Sequence, residues 1–300
     1  MGLLTGTASV TRFNVLSLPP GLDFEPAAFQ EIPAGSEIRE SQGFVPMELG
    51  EPYEVGAARH AFRVRVDRLR ADPVAVRERM RQLVRQELES GVPAVSSKKR
   101  QQLRELAEEE LVLGAMPSQK FIEGCLDGKV LFVGSTAKAY LGVVAQLLRK
   151  VGVIVEPKAP WVDRKEQDVT SDILSTNEPG ESVLGSRFLK ALIGDREVIL
   201  EPESGLVRLQ TEGTRVTLAG EVMKDTLRYL KEGAELLSAK LVTGDASFRF
   251  EALSFRVANL KVETERHEHW TQLLDERLEK IGNLFELLDR KYAELRSKME

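Results

Sequence analysis

A single cysteine, Cys125, stands in a chain of 300 residues, so no internal disulfide can form and the usage suits a reducing compartment. Long apolar runs are missing as well. Nothing approaches the roughly 18 uninterrupted apolar residues of a membrane helix, so no membrane partner is expected. The stretch from Met1 to Pro19 lacks a basic region followed by an apolar run, and the expectation is a cytoplasmic protein without an export signal. There is no phosphate loop with Gly-Lys-Ser/Thr and no dinucleotide fingerprint; Gly124, Gly128 and Gly134 have the placement of turn glycines, and no cofactor is expected. An excess of positive charge is absent too, the formal net charge being -5. Bulk repulsion would therefore oppose a polyanion partner unless cations gather locally.

What is present is ordinary globular material: 42% hydrophobic and 30% charged residues, in a length that fits one large domain or two to three small ones. The charge is unevenly placed. From Ala58 to Arg104, eleven arginines and two lysines stand against two aspartates and three glutamates, a local balance of +8 that leaves -13 on the rest of the chain. Solvated helix and strand faces are the ordinary explanation for such a run; a basic face on an acidic body is the sharper one.

The organisation reads as α+β. Thr5 to Ser17 is rich in β-branched residues and stops at two prolines, which suits an opening strand; a short helix is placed near Glu25 to Glu31. Gly43 to Met47 forms a compact apolar cluster. His60 to Leu69 alternates, with Phe62, Val64 and Val66 on one side and Arg63, Arg65 and Asp67 on the other, as in a half-buried strand. Asp72 and Pro73 open a helix to about Ser90, with Val76, Met80, Leu83, Val84 and Leu88 inward and Arg77, Arg81 and Arg85 outward at four-residue spacing. Gly91 and Pro93 end it. Ser96 or Ser97 then caps a helix that opens on Lys98, Lys99 and Arg100, passes Arg104 and runs to about Leu113. Cations at a helix N-terminus oppose its dipole by about 0.3–1 kcal/mol, a cost that a bound polyanion would offset.

Lys120 to Leu126 and Lys129 to Gly134 make a hairpin around Asp127-Gly128, whose residues supply the positive φ angles of a two-residue turn. Ser135 is expected to cap a helix to Val151, followed by a strand at Val153 to Val155. Pro157 to Pro179 is polar and weakly periodic, and residues 158–180 are taken as a connection between an N-terminal region (1–157) and a C-terminal one (181–300). Beyond it come a short helix at Ser186 to Ile193, strands at Leu206–Gln210, Arg215–Ala219, Glu235–Val242, Ser247–Leu253 and Arg256–Val262, and a helix at Glu221–Lys231. Leu274, Leu278, Ile281, Phe285, Leu288, Tyr292 and Leu295 repeat at four-three spacing along a final helix of about 30 residues. That seam packs on its own domain or forms a subunit contact.

Chemistry is thinly represented. His267 and His269 lie two apart, pointing different ways, with no cysteine beside them, so a metal pair is not expected. Glu108, Glu109 and Glu110 are consecutive on a helix and fan outward, whereas a two-metal nuclease needs carboxylates converging from separate elements. Cys125, inside the hairpin, reads as a small core residue.

With these elements in order, the chain resembles the RdgC family of recombination-associated DNA-binding proteins from near its start to the start of the last helix. The likeness rests on the opening strand, Gly43-Phe44-Val45-Pro46-Met47, the charged helix leading to Pro117, the hairpin at Asp127-Gly128 and Leu147-Leu148-Arg149-Lys150. It continues through Gly205-Leu206-Val207-Arg208, Glu232-Gly233, Leu237 to Lys240, Phe248-Arg249-Phe250 and Leu260-Lys261-Val262. The resemblance implies a crescent-shaped α+β subunit of mixed antiparallel sheets with helices and a long C-terminal helix. It also implies a homodimer that closes into a ring with a basic inner surface. Double-stranded DNA bound with little sequence preference, a nucleoid-associated location and restraint of a RecA-type recombinase follow from it. It places Arg149, Lys150, Arg208 and Lys261 at basic positions, beside the Lys98 to Arg104 patch. Gln210 and Thr211 stand where a more basic stretch is expected, and the final helix is longer than the family's. Some descriptions of that family speak of an exonuclease, so metal-dependent cleavage of DNA is the alternative to a non-catalytic binder.

Overall fold

The computed structural model describes residues 2–33, 35–56, 59–244 and 246–299; Ala58, the first residue of the basic segment, lies outside the described residues. The first half of the chain folds as β1 (Ala8–Ser17), β2 (Glu40–Val45), β3 (Glu54–Val55), β4 (Arg59–Arg68), α1 (Pro73–Glu89), α2 (Ser97–Val112), β5 (Ser118–Asp127), β6 (Val130–Val133) and α3 (Lys138–Lys150). Then come β7 (Ile154–Pro157), α4 (Pro160–Asp163), α5 (Val183–Leu192), β8 (Ile199–Leu200), β9 (Gly205–Thr211) and β10 (Thr214–Gly220). The chain closes with α6 (Met223–Lys231), β11 (Glu235–Val242), β12 (Ser247–Glu251), β13 (Arg256–Lys261) and α7 (Trp270–Leu295). The class is α+β, as the pattern predicts.

Two compact units form. The larger holds residues 1–26, 46–63 and 122–300, and the smaller holds 27–45 and 64–121. This differs from the expected division: 1–157 is shared between both units, and 158–180 lies inside the larger one. The physical reason is that the polar stretch is pinned. Trp161 is buried and its indole N–H donates to Gly180 O at 2.8 Å, while Asp168 accepts from Ser182 Oγ at 2.6 Å.

In the larger unit the strands run β10-β9-β11-β12-β13-β1-β6-β5, with the first half of β4 next, β7 on β1, β8 on β11 and β3 on β4. β1 joins two ladders. Ala8 and Val10 pair with β13 before an irregularity, and Thr11 to Asn14 pair with β6. The predicted hairpin forms, with Asp127 opposite Val130 and Gly128 at φ 58°. All seven seam residues of α7 are buried in this unit's own core, so the helix satisfies its stripe there. Tyr292 meets Phe188 with ring centroids 5.3 Å apart. Buried cations are matched here. Arg12, 5% exposed, makes two 2.8 Å hydrogen bonds to Asp289 with its guanidinium 4.2 Å from the Phe285 ring. Lys291 reaches Asp195 at 3.1 Å and Glu197 at 2.9 Å.

Local expectations are adjusted in three places. Ser135 does not cap α3: the helix starts at Lys138 behind Ala137, and Ser135 Oγ accepts from Ala137 N–H at 3.1 Å in the preceding turn. The expected helix at Glu25 to Glu31 is a single 3-10 turn, Glu25–Ala27. Leu88 is 46% exposed, because α1 ends one residue later and, among the described residues, nothing covers its last turn on that side.

The smaller unit combines β2, the second half of β4 and the α1–α2 pair. Both caps form: Asp72 accepts from Val74 N–H at 3.0 Å ahead of Pro73, and Ser96 accepts from Lys99 N–H at 3.3 Å. Val76, Leu83, Val95, Leu103 and Ala107 make its helical core.

Candidate nucleic-acid interface

In the smaller unit, four arginines from four chain segments converge on one groove of about 460 Å³. Arg70 leaves the end of β4, and Arg39 is held alongside because Leu69 N–H donates to the Arg39 carbonyl at 2.8 Å. Arg77 comes from the first turns of α1 and Arg104 from α2, over a floor that includes Pro73, Val76 and Met80. Glu108 is the one carboxylate in the lining, and it accepts from Arg104 Nε at 2.9 Å. Arg77 Nε donates to the Pro73 carbonyl at 3.1 Å, which orients the guanidinium without neutralising it. Among the described residues, Arg39 and Arg70 make no ion pair. Guanidinium groups present planar, forked donors that match phosphate oxygens and never lose their charge near neutral pH.

Bulk charge does not create this feature. By sequence the smaller unit carries thirteen Lys and Arg against twelve Asp and Glu, so its net charge is only +1 and the larger unit has -6. The +8 segment is balanced by Glu31, Glu37 and Glu40 and by the four glutamates from Glu105 to Glu110. Several predicted cations are therefore already engaged. Arg65 gives two hydrogen bonds, 2.9 and 2.6 Å, to Asp67, a carboxylate 1% exposed, and its guanidinium lies 4.2 Å from the Phe29 ring. Withdrawing that arginine would strand a buried charge, so its first role is structural. Arg63, in the larger unit, donates to the Pro46 carbonyl at 3.3 and 3.2 Å.

Others stay available. Arg81 pairs with Glu78 at 3.3 Å on open surface, where such pairs contribute about 0–1 kcal/mol and are readily exchanged for another anion, and Lys99 pairs with Glu87 at 2.8 Å at a half-buried position. Arg85, Lys98 and Arg100 are exposed and make no ion pair among the described residues. Arg77, Arg81 and Arg85 do form an exposed stripe on α1, as their spacing predicts. Arg39 and Arg70 are the additions that sequence reasoning missed. Arg70 lies inside the basic segment, but Arg39 sits between Glu37 and Glu40, where no charge signal marks it.

The family-implied cations of the larger unit do not meet one another. Arg208 borders a groove of about 500 Å³ with Arg215, Glu181 and Glu251. Lys261 borders a different one with Glu263, Glu279 and Lys280. Arg208 is opposite Ser238, which is opposite Glu251, while Lys261 is opposite Ser247. Three strand spacings and four residues of rise then put Arg208 and Lys261 on the order of 20 Å apart. Arg149 and Lys150 are exposed in the last turn of α3, where cations favour the helix dipole. Gln210, at the expected basic stretch, accepts instead from Arg215 Nε at 3.2 Å.

The other candidate groups have plain occupations. His267 lies 2.6 Å from Glu276, and His269 caps α7 by accepting from Thr271 N–H. Burial pushes the Cys125 thiol up to about 12, so it stays protonated near neutral pH. Glu110 pairs with Arg79 at 2.7 Å, away from Glu108 and its Arg104 partner. Among the described residues, no group of three or more His, Cys, Asp or Glu side chains is placed to hold a metal ion. Also among them, no helix is long and apolar enough to cross a membrane.

No family model matches the chain, and no curated protein does either.

Proposed function

We propose that this chain is an RdgC-like, non-catalytic binder of double-stranded DNA with little preference for sequence. The observation that carries the reading is the convergence of Arg39, Arg70, Arg77 and Arg104 on a single groove, continued outward by the Arg81 and Arg85 stripe. A groove so lined suits a phosphate backbone, which presents one charge per about 1.7 Å of duplex axis, whatever the bases. Its apolar floor offers no row of donors and acceptors to read base edges. Affinity then comes from release of counterions and falls steeply with salt.

The exposed cations of the larger unit, Arg149, Lys150, Arg208 and Lys261, are secondary contacts in this proposal. A homodimer closing a ring around the duplex, and restraint of a RecA-type recombinase by occupying its DNA, complete the reading. Both rest on the sequence resemblance.

Gel shifts on two unrelated duplexes test it. Equal binding at about 50 mM salt, weakening together as salt rises, is expected. Absence of a shift at about 50 mM salt, or binding to one duplex alone, would remove the proposal.

A further inference from the structure

A second surface, in the larger unit, is built differently. Val222, just ahead of α6, and Thr226 and Tyr229 on it face their own unit, with Val222 and Thr226 buried. The helix also carries Met223, Leu227 and Leu230 at i, i+4 and i+7, a second apolar row whose outer members stay exposed, Met223 at 42% and Leu227 at 44%, while Leu230 is half-buried against the core. With Ile193 from the end of α5 this row floors an open groove of about 560 Å³, and Lys190 and Lys231 stand in its lining. Lys224 is exposed on the same helix, and none of these three lysines makes an ion pair among the described residues. Arg228 is matched by Asp225 at 3.3 Å.

The geometry points to a docking site for an acidic amphipathic peptide segment of another protein, taken up as a helix along the α5–α6 groove. Met223, Leu227 and Leu230 make one ridge of α6, against which a partner helix can pack anchors of its own at similar spacing. Charge complementarity selects the occupant: unpaired lysines around an apolar floor favour carboxylates flanking leucine-like anchors. Duplex DNA would place phosphates over apolar atoms here, with nothing gained from Met223 or Leu227. A bilayer would need a larger apolar face than the two exposed side chains, Met223 and Leu227, offer here. The inference does not depend on the DNA-binding proposal, because it uses none of the same residues.

The test uses the full chain and a fluorescent peptide of about 15 residues with Leu at i, i+4 and i+7 and Glu elsewhere on its flanks, followed by anisotropy; Kd on the order of 10–100 µM is expected for so small a contact. Leu227→Glu should weaken binding at least about tenfold, with an unchanged thermal melt because the side chain is exposed. Lys190→Glu/Lys231→Glu should weaken it similarly and bind a Lys-flanked version of the peptide instead. Any of these results would overturn the inference: no binding at about 1 mM protein, equal binding of a Leu→Ser peptide, undiminished binding by Leu227→Glu, or displacement of the peptide by duplex DNA. Phosphatidylglycerol vesicles that are bound by the wild type and released by Leu227→Glu would overturn it in favour of a lipid surface.

Discussion

The two units use their cations in opposite ways. In the larger unit Arg12, Arg277 and Lys291 are nearly fully buried, and each is held by fixed acceptors: Asp289, the Gly6 carbonyl, and Asp195 with Glu197. Each of these cations is itself buried, so its burial is matched only while those acceptors hold it. In the smaller unit the helical core has five buried residues, and most of its arginines and lysines are at the surface. There, Arg65 is committed as firmly, to buried Asp67. Net charge does not separate the two kinds of cation; burial of at least one member of the pair does. A cation that is itself buried, or whose partner is, supports the fold, and an exposed one whose partner is exposed or lacking is open to a ligand.

The first way to break this comparison is through the cores. Phe188→Ala should cost about 3–5 kcal/mol and lower the melting temperature of the whole larger unit, since Phe188 is fully buried among Phe250, Phe255 and Tyr292. Leu103→Ala should cost about 2–3 kcal/mol and, by hydrogen exchange, deprotect α1 and α2 while β11 and β12 stay protected. Equal loss of protection everywhere would show that the units do not open separately.

Next, Arg65→Met should destabilise the smaller unit by about 3 kcal/mol because Asp67 is stranded, whereas Arg77→Met should change its stability by less than about 0.5 kcal/mol. Denaturant melts of both variants separate structural from available cations. Similar losses in the two would erase the distinction.

A smaller effect is expected from reversing surface charge. Lys98→Glu/Lys99→Glu/Arg100→Glu should weaken binding to all duplexes alike, by about 30- to 100-fold at low salt, with an unchanged melt. A loss confined to particular sequences would contradict phosphate contact.

The subtlest test lies in the larger unit. Glu276 accepts from Lys280 Nζ and faces His267 Nε2, each at 2.6 Å, and takes the Glu265 N–H at 3.2 Å; these hold its carboxyl down at about 2, against an ordinary 4.5. A depressed carboxyl contributes stability above its unfolded value and loses it as pH falls through the folded one. The stability difference between wild type and Glu276→Gln should therefore persist above about pH 4.5 and vanish toward pH 2. A difference independent of pH down to 2 would show that the carboxylate's charge contributes nothing.

Much of the fold was legible where local chemistry is decisive. Asp72-Pro73, Asp127-Gly128 and the four-three seam of α7 each satisfy a local rule that tertiary packing does not oppose, and five of the late strands fall within about two residues of their expected bounds. β3 and β8 have two residues each and carry no period. The division into units was hidden because the smaller one is assembled from two chain segments, and a sequence read in order suggests boundaries in order. At the site, the α1 stripe was visible as a spacing. Arg39 was not, since its place in the groove depends on a backbone hydrogen bond from Leu69, thirty residues on. The engagement of Arg65 was equally hidden, because Asp67 shares its strand face and an alternating pattern does not say which charges pair.

The claim that the smaller unit's arginine groove meets DNA phosphates is tested most directly by the salt dependence of duplex binding in wild type and in Arg70→Ala/Arg77→Ala. The slope of log K against log salt should become shallower by about 2 with the double substitution, equally for two unrelated duplexes. A slope that stays the same would place the DNA elsewhere on the protein.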